Sequence, residues 1–135
     1  QENDDIVKNE KLKINKKTNE IFALSNTMVQ DIINLMGNDI IVKNANGTVI
    51  TGTEKISTGC TVNDTYMIAV LGDANGDGVI NSADLLAIQK DLLNVKKLET
   101  KSKQNAADVN QDETINSADL LKIQKQLLGV SNIEI

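Results

Sequence analysis

Apolar positions along this chain follow two rhythms. From Lys13 to Leu71, short runs rich in Ile and Val are broken every few residues by Asn, Gly and Thr, as in strands joined by turns. Beyond Ser82 the spacing changes to three and four, as on helices. Within the first part, Lys13-Ile14 through Ile21-Phe22-Ala23-Leu24 reads as strand, interrupted at Lys16-Lys17-Thr18-Asn19. Ser25-Asn26-Thr27 then offers N-cap oxygens to a helix of about ten residues. Its apolar stripe is Met28, Val29, Ile32, Ile33 and Met36, and Gly37-Asn38 stops it. Asp39–Lys43 and Thr48–Thr51 flank Asn46-Gly47, a hairpin signal. A turn at Thr58-Gly59 leads to Cys60-Thr61-Val62, and Asn63-Asp64 turns the chain into Thr65–Leu71, the most hydrophobic strand. Residues 12–71 therefore predict a β-α-β-β-β unit, with one helix laid across a small mixed sheet. Residues 1–11 read as a linker or a lead-in strand.

The second part is a duplication. Asp73-Ala74-Asn75-Gly76-Asp77-Gly78-Val79-Ile80-Asn81-Ser82-Ala83-Asp84, followed by Leu85-Leu86, recurs as Asp108-Val109-Asn110-Gln111-Asp112-Glu113-Thr114-Ile115-Asn116-Ser117-Ala118-Asp119, again followed by Leu-Leu. Residues 73–95 and 108–130 share 16 identities in 23 positions. One such run is also what an Asx-rich turn ahead of a helix looks like; the recurrence favours a cation loop. Oxygen-bearing side chains at positions one, three, five, nine and twelve suit a hard cation that takes about 6–8 oxygens. In the first loop Asp73, Asn75 and Asp77 alternate down one side, and Gly78 allows a sharp turn. Val79 gives its carbonyl, Asn81 acts directly or through a water, and Asp84 closes the shell. Three carboxylates around a divalent ion favour Ca²⁺ over Mg²⁺, which demands a tighter octahedron. Ser82 and Ser117 are the expected N-caps of helices running to Leu93 and Leu128. Leu85, Ile88 and Leu92, with Leu86 and Leu93 beside them, form a stripe that Leu120, Ile123 and Leu127, with Leu121 and Leu128, repeat. Stripes this broad predict that each helix buries one side on its twin and offers another outward. A short helix is expected near Thr100. Gly72 joins the strand to the first loop without a linker, so the two halves are expected to pack as a semi-rigid pair.

Composition removes many function classes. The 135 residues suffice for one domain, or two small ones sharing an interface. Phe22 and Tyr66 are the only aromatic residues, so the core must be aliphatic. A net charge of −5 without any Arg argues against nucleic acid and anionic membranes. His is absent, which removes Ser-His-Asp and Cys-His catalysis and His-based metal sites. Cys60 is alone, so no internal disulfide and no thiolate cluster is expected. No apolar run approaches the ~18 residues of a membrane helix. No signal peptide opens the sequence, which reads as a segment of something larger. Asn46-Gly47-Thr48 and Asn63-Asp64-Thr65 match the glycosylation triplet but fall at turns.

An EF-hand needs a helix before each loop, whereas a strand precedes Asp73, and position twelve is Asp in place of the usual Glu. A duplicated loop–helix unit with about 35 residues between copies and Asp at twelve resembles a type I dockerin. The resemblance covers 72–130, and residues 12–71 resemble more loosely the small β-rich X-module beside dockerins of clostridial extracellular proteins. The Lys-only, Asn- and Ile-rich composition fits a low-GC Gram-positive source.

The resemblance implies an α+β chain: a β-rich module over 12–71, then an all-α duplicated EF-hand-like dockerin domain over 72–135. It implies a non-catalytic, monomeric, calcium-dependent assembly module. Such a module binds a cohesin domain and anchors a secreted, extracellular glycan-degrading enzyme to a scaffold or another enzyme. Two structural Ca²⁺ ions would be held by Asp73, Asn75, Asp77, Val79, Asn81 and Asp84, and by Asp108, Asn110, Asp112, Thr114, Asn116 and Asp119. Cohesin recognition would fall on Ser82, Ala83, Leu86, Gln89 and Lys90, and on Ser117, Ala118, Leu121, Gln124 and Lys125. Identical recognition residues in both repeats imply two docking orientations about 180° apart. Glu113 departs from the glycine expected at position six and predicts a weaker second site. Three rival readings fit the sequence less well. A calcium sensor or buffer predicts paired helix–loop–helix units and a Met-rich groove, yet the C-terminal half has no Met. A small hydrolase lacks a base, and a sugar-binding platform lacks exposed aromatics.

Overall fold

The computed structural model describes residues 5–135. Residues 1–4 of the expected linker lie outside the described residues. Three strands open the chain: β1 (Ile6–Lys8), β2 (Leu12–Asn15) and β3 (Glu20–Ala23). They pair antiparallel in sequence, with Val7 opposite Ile14 and Ile14 opposite Ile21. The β2–β3 turn forms because Asn15 Oδ1 accepts the Lys17 and Thr18 amides and Asn19 takes the left-handed region at φ 59°. Next come α1 (Val29–Met36), β4 (Val42–Lys43), β5 (Val49–Ile50), β6 (Thr61–Val62) and β7 (Tyr66–Val70). The sheet order is β1-β2-β3-β7-β6-β4-β5, with β3 and β7 parallel. The sequence-predicted β-α-β-β-β unit is therefore corrected to β-β-α-β-β-β-β. The 13–24 run folds back on itself at Asn19, and residues 6–8 add an edge strand. The Asn46-Gly47 hairpin is present, with Val42 opposite Ile50, but each of its strands is only two residues long.

α1 starts one residue beyond the expected caps. Thr27 Oγ1 donates to the Leu24 carbonyl instead (2.7 Å), and the Asp31 carboxylate accepts the Met28 amide (2.9 Å). Alternation along the central strands then divides the core. Ile21, Ala23, Ile68 and Val70 face one side, where they meet Leu12, Ile14, Val42 and Val62 under α1 residues Val29 and Ile32. Phe22, Leu24 and Leu71 serve the opposite side, where they meet Ala74, Ile88, Ala107, Val109 and Ile123. The sheet is the middle layer, and the C-terminal helices lie on its second face.

Those helices are α2 (Ser82–Leu92), α3 (Lys101–Ala107) and α4 (Ser117–Leu127). α3 packs on β7, and α2 packs on α4. α3 begins at the expected place, with Thr100 Oγ1 accepting the Lys103 amide. α2 and α4 end alike. Asn94 and Gly129 take positive φ (59° and 74°), and the Val95 and Val130 amides donate back to the Lys90 and Lys125 carbonyls. The duplication also runs further than the sequence identities. Asp91 Oδ1 accepts the Leu98 amide (3.0 Å), and 35 residues on Gln126 Oε1 accepts the Ile133 amide (2.8 Å). Leu98 and Ile133 are both buried in the shared core. Gly72 takes φ 96°, where any L side chain is strained, and an added Cβ would also crowd the Ile80 (3.0 Å) and Ile133 (3.2 Å) side chains, so the junction favours glycine.

Candidate metal centre

Each loop is a web of carboxylate and amide bonds set by its sequence. In the first, Asp73 Oδ2 accepts the Gly78 amide (3.0 Å) and the Thr58 amide (3.1 Å). Asn75 Oδ1 accepts the Asp77 amide (3.2 Å), and Asp77 Oδ1 accepts the Val79 amide (3.0 Å). Asp84 reaches back from the first turn of α2, its two oxygens taking the Asn75 amide (3.2 Å) and the Asn81 amide (2.9 Å). Oxygens of Asp73, Asp77 and Asp84 consequently lie within 4.8 Å of one another. Asp73 Oδ1 is buried without a hydrogen-bond partner. A buried acceptor left unmatched costs about 1–3 kcal/mol, and an oxygen-seeking cation removes that cost. The donor set, hard oxygens only, fits Ca²⁺.

The second loop repeats the plan. Asp108 accepts from Asp112 and Glu113, Asn110 from Asp112, Asp112 from Thr114, and Asp119 from Asn110 and Asn116. Among the described residues the first loop alone draws three carboxylates within 4.8 Å. Glu113 occupies the left-handed region (φ 70°) where Gly78 sits (φ 84°), and Gln111 (φ 57°) stands where Gly76 (φ 82°) does. The second loop thus holds two strained positions.

Electrostatics point the same way in both loops. Burial pushes the Asp73 carboxyl up, opposed by the Thr58 and Gly78 amides and aided by the charge on Asp77. Asp84 is pushed up to about 6, chiefly by burial and also by Asp73 and Asp77. Burial likewise raises Asp108 and Asp119. Dehydrated carboxylates this close hold protons more tightly than free ones, and a divalent cation relieves the same repulsion without the proton.

The helix caps correct one expectation. Ser82 and Ser117 are the first helical residues, and Asn81 and Asn116 are the N-caps, each accepting the second amide onward (Ala83 and Ala118, both 2.9 Å). Asn outcompetes Ser here because Asp84 and Asp119, at the third helical position, accept the Asn amides and complete reciprocal caps. Each capping Asn oxygen keeps one lone pair for a cation or its water. Sequence reasoning missed Thr58, whose contact with Asp73 spans 15 residues and carries no local signal.

All ten sequence-predicted docking residues are exposed. Ile88 and Ile123 are fully buried beneath them, whereas Leu86 and Leu121 are each 50% exposed. The helix pair buries one side and presents another. α3 precedes the second loop, but β7 precedes the first, so paired helix–loop–helix hands do not form.

Two loop–helix hands of calcium-loop chemistry, each ending in an exposed helix, define a calcium-binding assembly module. Residues 71–128 match the family model of the Dockerin type I domain, and this stretch of the chain is a type I dockerin. Dockerins bind calcium and cohesin domains and are non-catalytic. No curated protein and no solved structure matches the chain. Among the described residues no helix is long and apolar enough to cross a membrane.

Proposed function

We propose that this chain is a calcium-dependent docking module in which two structural Ca²⁺ ions hold α2 and α4 side by side for a cohesin domain. The ions are held by Asp73, Asn75, Asp77, Val79, Asn81 and Asp84, and by their counterparts from Asp108 to Asp119. The orphaned buried oxygen of Asp73 carries this reading, because a cation held by the neighbouring Asp77 and Asp84 oxygens would satisfy it. Residues 72–135 are the docking domain. Residues 12–71 form an X-module-like buttress that supplies the sheet face on which the hands pack. The cohesin face comprises Ser82, Ala83, Leu86, Gln89 and Lys90 in one repeat and Ser117, Ala118, Leu121, Gln124 and Lys125 in the other. Its near-identity supports docking in two orientations. The module serves a secreted, extracellular glycan-degrading enzyme of clostridial type, which it attaches to a scaffold or a second enzyme.

Titration of the chain against a panel of type I cohesins, in calcium and in EDTA, tests this. At least one cohesin is expected to bind in calcium and none in EDTA. Ser82→Asp/Ala83→Asp alone should leave affinity nearly intact, and adding Ser117→Asp/Ala118→Asp should abolish it. Absence of binding across the panel in calcium, or tight binding in EDTA, would overturn the proposal.

A further inference from the structure

The two repeats share their recognition residues but not their surroundings. Beside α2 lies a recess of about 260 Å³ walled by Ala83, Leu86 and Lys90 of the docking face and by Lys96, Lys97 and Lys103. Lys97 Nζ lies 3.9 Å from Asp91, and Lys103 Nζ 3.9 Å from Glu99. Among the described residues Lys90 and Lys96 form no ion pair. The second repeat follows the same backbone course through Ile133, yet it carries Ser131 and Asn132 where the first has Lys96 and Lys97, and Gln126 in place of Asp91. In a chain of net charge −5, four ammonium groups border this recess against the single carboxylate of Glu99 in its wall, and those of Lys90 and Lys96 are unpaired among the described residues, open to solvent and continuous with the docking face.

Resting on the docking function proposed above, we infer that this recess receives a carboxylate side chain of the cohesin and makes the two docking orientations unequal. When α2 meets the partner's recognition surface, an acidic residue at its edge enters the recess. In the rotated orientation the same residue meets Ser131 and Asn132. Charge complementarity argues for this occupant, because Lys heads around a shallow recess match single carboxylates and steer association at low salt. Two ion pairs at a partly exposed rim amount to roughly a fivefold difference in affinity at low salt, which ionic strength should erase, so the near-intact affinity expected of Ser82→Asp/Ala83→Asp holds once salt is high.

The test isolates each orientation in the full chain. Ser117→Asp/Ala118→Asp leaves only the α2 face, and Ser82→Asp/Ala83→Asp only the α4 face. Into each background goes Lys96→Ser/Lys97→Asn, the pair the second repeat already carries on the same backbone course, with melting temperature as the folding check. Affinity for a type I cohesin that binds the wild-type chain is measured in calcium at 50 and 500 mM salt. The α2-only form is expected to bind about fivefold more weakly after the swap at low salt, with no change at high salt. The α4-only form is expected not to respond. Equal effects in both backgrounds, or none in the α2-only form, would overturn the inference while leaving cohesin docking intact. A wild-type chain that binds no cohesin would overturn both.

Discussion

Thr58 is where the β-rich part of the chain grips the first metal loop, and replacing it tests that grip. Its hydroxyl accepts the Val70 amide (3.0 Å) and donates to the Val70 carbonyl (3.3 Å), while its own amide holds Asp73 Oδ2 (3.1 Å). Thr58→Val keeps the volume and removes the hydroxyl. The Val70 carbonyl retains the Asp73 amide (2.8 Å), but the Val70 amide, whose acceptor is this hydroxyl, is left buried and unmatched. An orphaned buried donor costs about 1–3 kcal/mol, and the lost second bond adds about 1. The expected destabilisation is thus about 2–4 kcal/mol, or about 7–14 °C in melting temperature for a chain of this size. Loosening of the 57–60 segment also frees Asp73, so the first calcium site should weaken roughly tenfold, as for other groups that orient a metal ligand. Among the described residues the bonds to Asp108 come from within its own loop, from Asp112 and Glu113, so the second site should be unaffected. Calorimetric titration of the calcium-stripped chain, alongside thermal melts, reads both. An unchanged melting temperature, or equal weakening of both sites, would refute this coupling.

Other predictions follow from the loops. Glu113→Gly removes a strained left-handed residue but adds freedom to the unfolded chain, so the calcium-loaded form should gain about 0.5–1 kcal/mol in urea melts and the weaker site should tighten. A loss of stability would show that Glu113 is not strained. For pH, the raised Asp84 group gives the metal-free fold stability that is complete below the ordinary value near 3.9 and lost as pH rises through about 6. Metal-free melting temperatures should therefore fall between about pH 4 and 6 and level off above that, and calcium affinity should rise over the same range; Asp84→Asn should flatten the first trend. Ile123→Ala empties a fully buried site under α4 and should cost about 2–5 kcal/mol. A change below 1 kcal/mol would show that the two hands do not share a core.

Local chemistry made much of this legible. The Asn46-Gly47 and Asn63-Asp64 turns fall where the sequence places them, because Gly47 and both residues of the second pair occupy positive φ. The loops, helix extents and exposed Leu86 and Leu121 follow from spacing alone. What spacing does not encode is partnership at a distance. The parallel β3–β7 pair, the edge strand Ile6–Lys8, and Thr58 at Asp73 are fixed by tertiary packing. The sequence points to Ser82 and Ser117 as caps because Ser is a strong capping residue in isolation, whereas a reciprocal Asn–Asp pair is stronger in context. The extension of each repeat to Leu98 and Ile133 leaves no identity in the sequence because different side chains, Asp91 and Gln126, make the same bond.

The central claim is that two oxygen cages each capture one Ca²⁺. Its most direct test is calorimetric titration of the calcium-stripped wild-type chain beside Asp73→Ala and Asp108→Ala. Two ions bound by the wild type, with one lost in each variant, is the predicted result. A wild-type chain that takes up no calcium, or variants that still bind two ions, would contradict the account.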